Sequence, residues 1–366
     1  MRSGSSALGQ KQQRIDSLSL RVASAVACMH GVGCIYAGFE DAMFIGEGGA
    51  ARSRAHDWLV EFQSNASGET ALGVCSAILG RCCSAAQWSQ NESLVAFYVC
   101  GVLADRARKR NVKVLEGSGA ETLDFVLQCA LTLCSGQSQH ASFQALLARL
   151  AESYVSAFLR RAVHSRNPVW CEQAVGILCD LPFPEIAFGI LECLPRELES
   201  FWNPCDDDFD AAASVVGEMK TVAIRRAISV LASSERVSFR ACVWCLRCLQ
   251  QWAECRIWTG GEGMCGIRFE CIQNENIQLW QALIACFAKL VGGTHPVYTL
   301  VCSDDASRQR LLGLSLNVWA SFCSCAAAGE EETHQAILRE FVHACSSFSS
   351  IIPRYISLIK SINLLW

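Results

Sequence analysis

Cys242, Cys245 and Cys248 fall at every third position of "CVWCLRCLQQW" (Cys242–Trp252), with a tryptophan toward each end. Thiols in Cys-x-x-Cys spacing can hold zinc or exchange electrons. Zinc takes four ligands in a tetrahedron, each sulfur about 2.3 Å from the metal. On a helix three residues turn 300°, so Cys242 and Cys248 would stand ~9 Å apart along the axis and ~120° apart around it. Both cannot reach one small ion. No second Cys-x-x-Cys pair completes a site: Cys323-Ser-Cys325 has the wrong spacing and Cys82-Cys83 is adjacent. A thioredoxin-type centre needs a βαβ setting, which the surrounding pattern lacks. The stretch therefore reads as a helix whose cysteines, with Val243, Leu246 and Leu249, fill a core.

No other catalytic signature stands out. A Walker loop, Gly-x-Ser-x-Gly and His-Glu-x-x-His are all missing. The 7 histidines are scattered. Neither an enzyme nor a cofactor or metal is expected.

The elements that must carry this chemistry-poor chain are helices. Apolar residues make up 51% and charged residues 18% of its 366 positions, enough for a large core and too apolar for disorder. The formal net charge of −4 does not suit the broad basic surface of a nucleic-acid binder. The 23 cysteines sit inside apolar helical stretches as small hydrophobes, which points to a reducing compartment. "VASAVACMHGVGCIYAGF" (Val22–Phe39) carries no acidic or basic residue apart from His30. Its glycines dilute it below a membrane span, and an amphipathic first helix followed by a Gly-rich loop is the preferred reading over a targeting or membrane segment.

Residues 1–13 read as polar and frayed, and residues 1–50 as a polar N-terminus, first helix and Gly-rich loop. From 51 to 366 the chain alternates helix-length amphipathic runs with short polar breaks. Ala55, Trp58, Leu59 and Phe62 keep one such stripe. About a dozen helices and no convincing strand are expected. The predicted fold class is all-α: a HEAT/ARM-like superhelix of antiparallel helix pairs, each burying a face on the next. The final "SSIIPRYISLIKSINLLW" ends on an apolar edge, so continuing protein or a partner is expected to cover it. Two charge clusters are the candidate partner-binding residues. Arg106, Arg108, Lys109 and Arg110 lie at a helix end, where cations complement the helix dipole or meet an anionic partner. Asp206, Asp207, Asp208 and Asp210 precede a helix, where carboxylates cap N–H groups or attract basic cargo.

Several stretches, taken in order, resemble importin-β-type transport receptors, most nearly the transportin-SR and importin-thirteen branch. "AHDWLVEFQSN" keeps Ala55, Trp58, Leu59 and Gln63 of an A-x-x-W-L-x-x-x-Q helix. "ALGVCSAILG" keeps Ile78-Leu79 of the next, with Gly73 near the position of that family's tryptophan. "SLVAFYVCGVLADRARKR" is similar to the following helix. "LPFPEIAFGILECLPRELES" matches through Leu191, Leu194, Pro195 and Glu197, "CLRCLQQW" through Arg247, Cys248, Leu249 and Trp252, and "LGLSLNVWASF" through Ser315, Asn317 and Trp319. The resemblance spans about residues 50–350. It departs from the family between Trp252 and Trp319, where helices are missing, and family members are more than twice as long. It implies a monomeric receptor shuttling between nucleus and cytoplasm, which binds Ran-GTP, protein cargo and nuclear pore proteins. With the charge and the reading of Val22–Phe39 above, neither direct nucleic-acid binding nor membrane insertion is expected. A scaffold working without Ran is the alternative.

Overall fold

The computed structural model describes residues 4–30, 49–84, 90–108, 115–135, 143–165, 169–205, 208–232, 238–255, 258–259, 263–264, 282–283, 285–287, 289–290, 295–300 and 305–324. The chain divides into two compact units, Met1–Arg166 and Asn167–Trp366.

The first unit holds α1 (Gly4–His30), α2 (Gly49–Asn65), α3 (Gly68–Ser84), α4 (Gln90–Arg108), α5 (Leu115–Ser135) and α6 (Phe143–Ser165). α1 begins at Gly4, so the expectation of fraying through residue 13 is corrected. The run Lys11–Gln13 favours helix, and Gln12 Nε2 donates to Asp16 Oδ1 at 3.3 Å one turn on. α2 buries Ala51, Ala55, Leu59 and Phe62 along one stripe. Trp58 stacks on Phe62 at 5.8 Å between ring centroids, with the Arg21 guanidinium 5.0 Å from the Trp58 ring. Ser67 Oγ accepts the Thr70 N–H at 3.2 Å at the start of α3.

Packing in this unit follows a simple order. α1 lies on α2 and α3, α3 on α4 and α5, and α6 on both α5 and α4. Hydrogen bonds between alternate helices show their direction. Tyr98 Oη donates to Leu59 O at 3.2 Å, and further along the same two helices Gln63 Nε2 donates to Asp105 Oδ2. Ser153 Oγ donates to Cys100 O at 2.7 Å, and Arg160 Nη2 to Arg108 O at 3.1 Å, across separations of 53 and 52 residues. Partner numbers rise together, so α2, α4 and α6 run parallel. The helices between them return the chain.

The second unit holds α7 (Val169–Asp180), α8 (Pro184–Phe201), α9 (Phe209–Ala232), α10 (Phe239–Glu254), a ribbon of β1 (Trp258–Thr259) and β2 (Gly263–Met264), α11 (Val297–Leu300) and α12 (Asp305–Ser324). α8 starts with Pro184 in its first turn, where its missing N–H costs nothing. Ser238 caps α10, its Oγ accepting the Ala241 N–H at 2.9 Å. α10 is central, packed on α8, α9, α11 and α12. α8 and α10 also run parallel: Ser238 Oγ donates to Glu185 Oε1 at 3.1 Å and Arg247 Nη2 to Glu192 Oε1 at 2.8 Å. The described residues are thus almost wholly helical, in keeping with an all-α fold. The ribbon was not expected. It pairs Trp258 with Met264 and Thr259 with Gly263 in antiparallel register.

Among the described residues no helix is long and apolar enough to cross a membrane. The part of Val22–Phe39 that is described lies in α1, where Val22–Ala27 is buried. The expected helix in "THQAILREFVHACSSF" and the apolar C-terminal edge lie outside the described residues.

Candidate functional site

Cys242, Cys245 and Cys248 all lie on α10, each with no solvent exposure. Burial pushes the Cys242 thiol up to about 12, and it raises Cys245 and Cys248 well above the ordinary thiol value. A thiol held protonated is a poor nucleophile and a poor metal ligand. Among the described residues no group of three or more His, Cys, Asp or Glu side chains could hold a metal ion. The stretch that invited chemistry is the core of the second unit. The expected result with a thiol-alkylating reagent at pH 8 follows from this burial. Exposed Cys179 and Cys205 should react in the native protein, and the three α10 thiols only after denaturation. Peptide mapping by mass spectrometry checks it; native labelling of Cys245 at the rate of Cys205 would contradict it.

What α10 presents to α8 is more specific. α8 contains Pro195 in its interior. Proline has no N–H, so the carbonyl four residues earlier, that of Leu191, has no donor within its own helix. Trp252 Nε1 supplies one, 2.9 Å from Leu191 O, in a fully buried contact. One turn before Trp252, Arg247 Nη2 donates to Glu192 Oε1. The Glu192 side chain is only 7% exposed, and the Arg247 guanidinium also lies 4.9 Å from the Trp244 ring. Leu191, Leu194, Pro195 and Glu197 on α8 and Cys248, Leu249 and Trp252 on α10 are all buried.

The basic cluster is described for Arg106 and Arg108; Lys109 and Arg110 lie outside the described residues. Arg106 Nη2 donates to Gln63 O in the last turn of α2. Arg108 Nη1 pairs with Asp105 Oδ1 at 3.3 Å, its side chain 15% exposed, while its own carbonyl accepts from Arg160. The last four carbonyls of a helix lack internal donors. Arg106 and Arg160 serve such carbonyls on neighbouring helices. A third case sits in the second unit, where Arg226 Nη1 and Nη2 donate to Cys179 O and Leu181 O at the end of α7, the latter at 2.9 Å. Gln63 was noticed only as part of a motif, and Arg160 and Arg226 were missed. Their signal, an arginine on an otherwise apolar helix face, is common and unspecific.

Of the acidic cluster, Asp206 and Asp207 lie outside the described residues. Asp208 and Asp210 are exposed at the start of α9, and Asp208 O accepts the Ala212 N–H at 3.1 Å. Asp210 in the first turn complements the helix dipole. The basic and acidic clusters belong to different units.

Gly73, where the resemblance would place a family tryptophan, faces α1. A Cβ built there would sit 2.9 Å from Ile15 Cδ1. Ile15 fills the space a larger residue at 73 would need. Comparison with protein-family models, with curated proteins and with solved structures finds no match for this chain.

Proposed function

We propose that this chain is a non-enzymatic nuclear transport receptor of the importin-β type, near the transportin-SR and importin-thirteen branch. In this reading it is a HEAT-like superhelix that takes Ran-GTP and protein cargo and shuttles between nucleus and cytoplasm. The observation that carries the reading is the α8–α10 contact. Two of the stretches on which the resemblance rests are chemically complementary: the proline of one removes a donor that the tryptophan of the other replaces. A buried carbonyl freed by a proline needs a donor, and that the donor comes from the other resembling stretch supports reading the two as neighbouring repeat helices. The parallel run of alternate helices, with partners 39 to 53 residues apart in the first unit, adds support. HEAT and armadillo repeats recur at about 40–47 residues.

A stack of helix pairs responds to partners by changing curvature, so Ran-GTP and cargo would be linked through their preference for different curvatures. Asp208 and Asp210 are the described acidic residues exposed to basic cargo. Arg106 would act chiefly through the end of α2 that it holds, and Arg108 through its pair with Asp105. The test is calorimetric binding of the purified chain to Ran loaded with a GTP analogue and, separately, with GDP. Binding confined to the GTP form is expected. Equal weak binding to both forms, or none, by a sample with native circular dichroism would remove the transport reading and leave a Ran-independent scaffold.

A further inference from the structure

The bonds joining α2, α4 and α6 to one another's main chain have a polarity. Tyr98 and Arg106 of α4 donate to the carbonyls of Leu59 and Gln63 on α2. Ser153 and Arg160 of α6 donate to the carbonyls of Cys100 and Arg108 on α4. In each step the later helix donates and the earlier one accepts. The two arginines act on the same element, the last turn of a helix, where carbonyls lack internal donors and fraying is cheapest. They also meet on one turn: Arg108, whose carbonyl is held from α6, stands two residues beyond Arg106, whose side chain holds α2.

We propose that this row is a conformational relay, in which the grip of Arg160 on the end of α4 sets how firmly Arg106 holds the end of α2. Pinning Arg108 O keeps the last turn of α4 helical. When that turn frays, the backbone at Arg106 moves with it and its guanidinium loses its reach to Gln63 O. Asp105, on the same turn, accepts from Gln63 and pairs with Arg108, so fraying releases that contact too. The two-state element is thus one helical turn, and both neighbours bias it. A partner that displaces α6 is then felt at α2, and by reciprocity a partner on α2 is felt at α6. The relay rests on the first unit alone and stands whether or not the chain binds Ran.

Hydrogen exchange of the full chain read by mass spectrometry tests it. The probe is the last turn of α2 and the Ala66 amide, which bonds Phe62 O at 3.1 Å. Arg160→Met should speed exchange at the end of α4 and, by at least about threefold, at this probe, which lies on a different helix from the Arg160–Arg108 bond. In an Arg106→Met background, Arg160→Met should add nothing at the probe. Faster exchange at the end of α4 with an unchanged probe would overturn the relay and leave independent contacts. An equal increment with and without Arg106 would overturn it as well. If Arg160→Met unfolds the first unit, Arg160→Lys, which keeps the charge and loses the planar fork, is judged by the same two criteria.

Discussion

Trp252→Phe is expected to destabilise the second unit by about 1–3 kcal/mol, the cost of leaving a buried carbonyl without its donor. Phenylalanine keeps much of the apolar volume, so the loss falls chiefly on the bond from Trp252 Nε1 to Leu191 O. Trp252→Ala should cost more, about 3–5 kcal/mol, because a cavity is added in a place with no exposure. The informative partner is Pro195→Ala. Alanine restores a backbone N–H four residues after Leu191, and the carbonyl regains a donor within α8. In that background Trp252→Phe should cost under about 1 kcal/mol. Urea midpoints followed by far-UV circular dichroism across the four proteins give the coupling. An equal cost of Trp252→Phe in both backgrounds would mean that the indole contributes bulk alone.

Arg247→Met should produce the other large effect. Glu192 lies within the α8–α10 packing with 7% of its side chain exposed, and the 2.8 Å bond from Arg247 is its described ion pair. Removing the guanidinium leaves a carboxylate in a largely dry place, and about 2–4 kcal/mol is the expected loss. Arg247 is itself about one-third exposed, which keeps the figure below that of a fully buried pair. Methionine retains most of the stem that covers Trp244, so charge is what changes. Glu192→Leu together with Arg247→Met should recover most of the loss, since the buried carboxylate is removed along with its partner. A single-variant midpoint within about 0.5 kcal/mol of the parent would show that solvent already screens the pair.

Much of the local structure was legible because it depends on neighbours in the chain. The stripe through Ala55, Leu59 and Phe62 and the helical setting of Cys242, Cys245 and Cys248 follow from periodicity. The first turns of α1 were misread because a polar, glycine-bearing start resembles a frayed end, while the tertiary packing of Val22–Ala27 anchors the helix farther along. The ribbon at Trp258–Met264 was overlooked because two residues per strand leave no alternation to detect. From the sequence, the cations at the end of α4 are expected to complement the dipole of their own helix, whereas Arg106 serves the end of α2.

By itself, then, the sequence determined that the described residues are mainly helical, where most of their helices lie, and that Cys242, Cys245 and Cys248 sit on a core face. Each of those properties is decided within a turn or two of backbone. Only the tertiary structure decided which helix end each arginine holds and which carbonyl Trp252 completes. Those bonds join residues 43, 52 and 61 positions apart, and their partners are set by which helices run side by side. A proline that leaves a carbonyl without a donor can be seen in the chain; the indole that answers it is found only after α8 and α10 have packed.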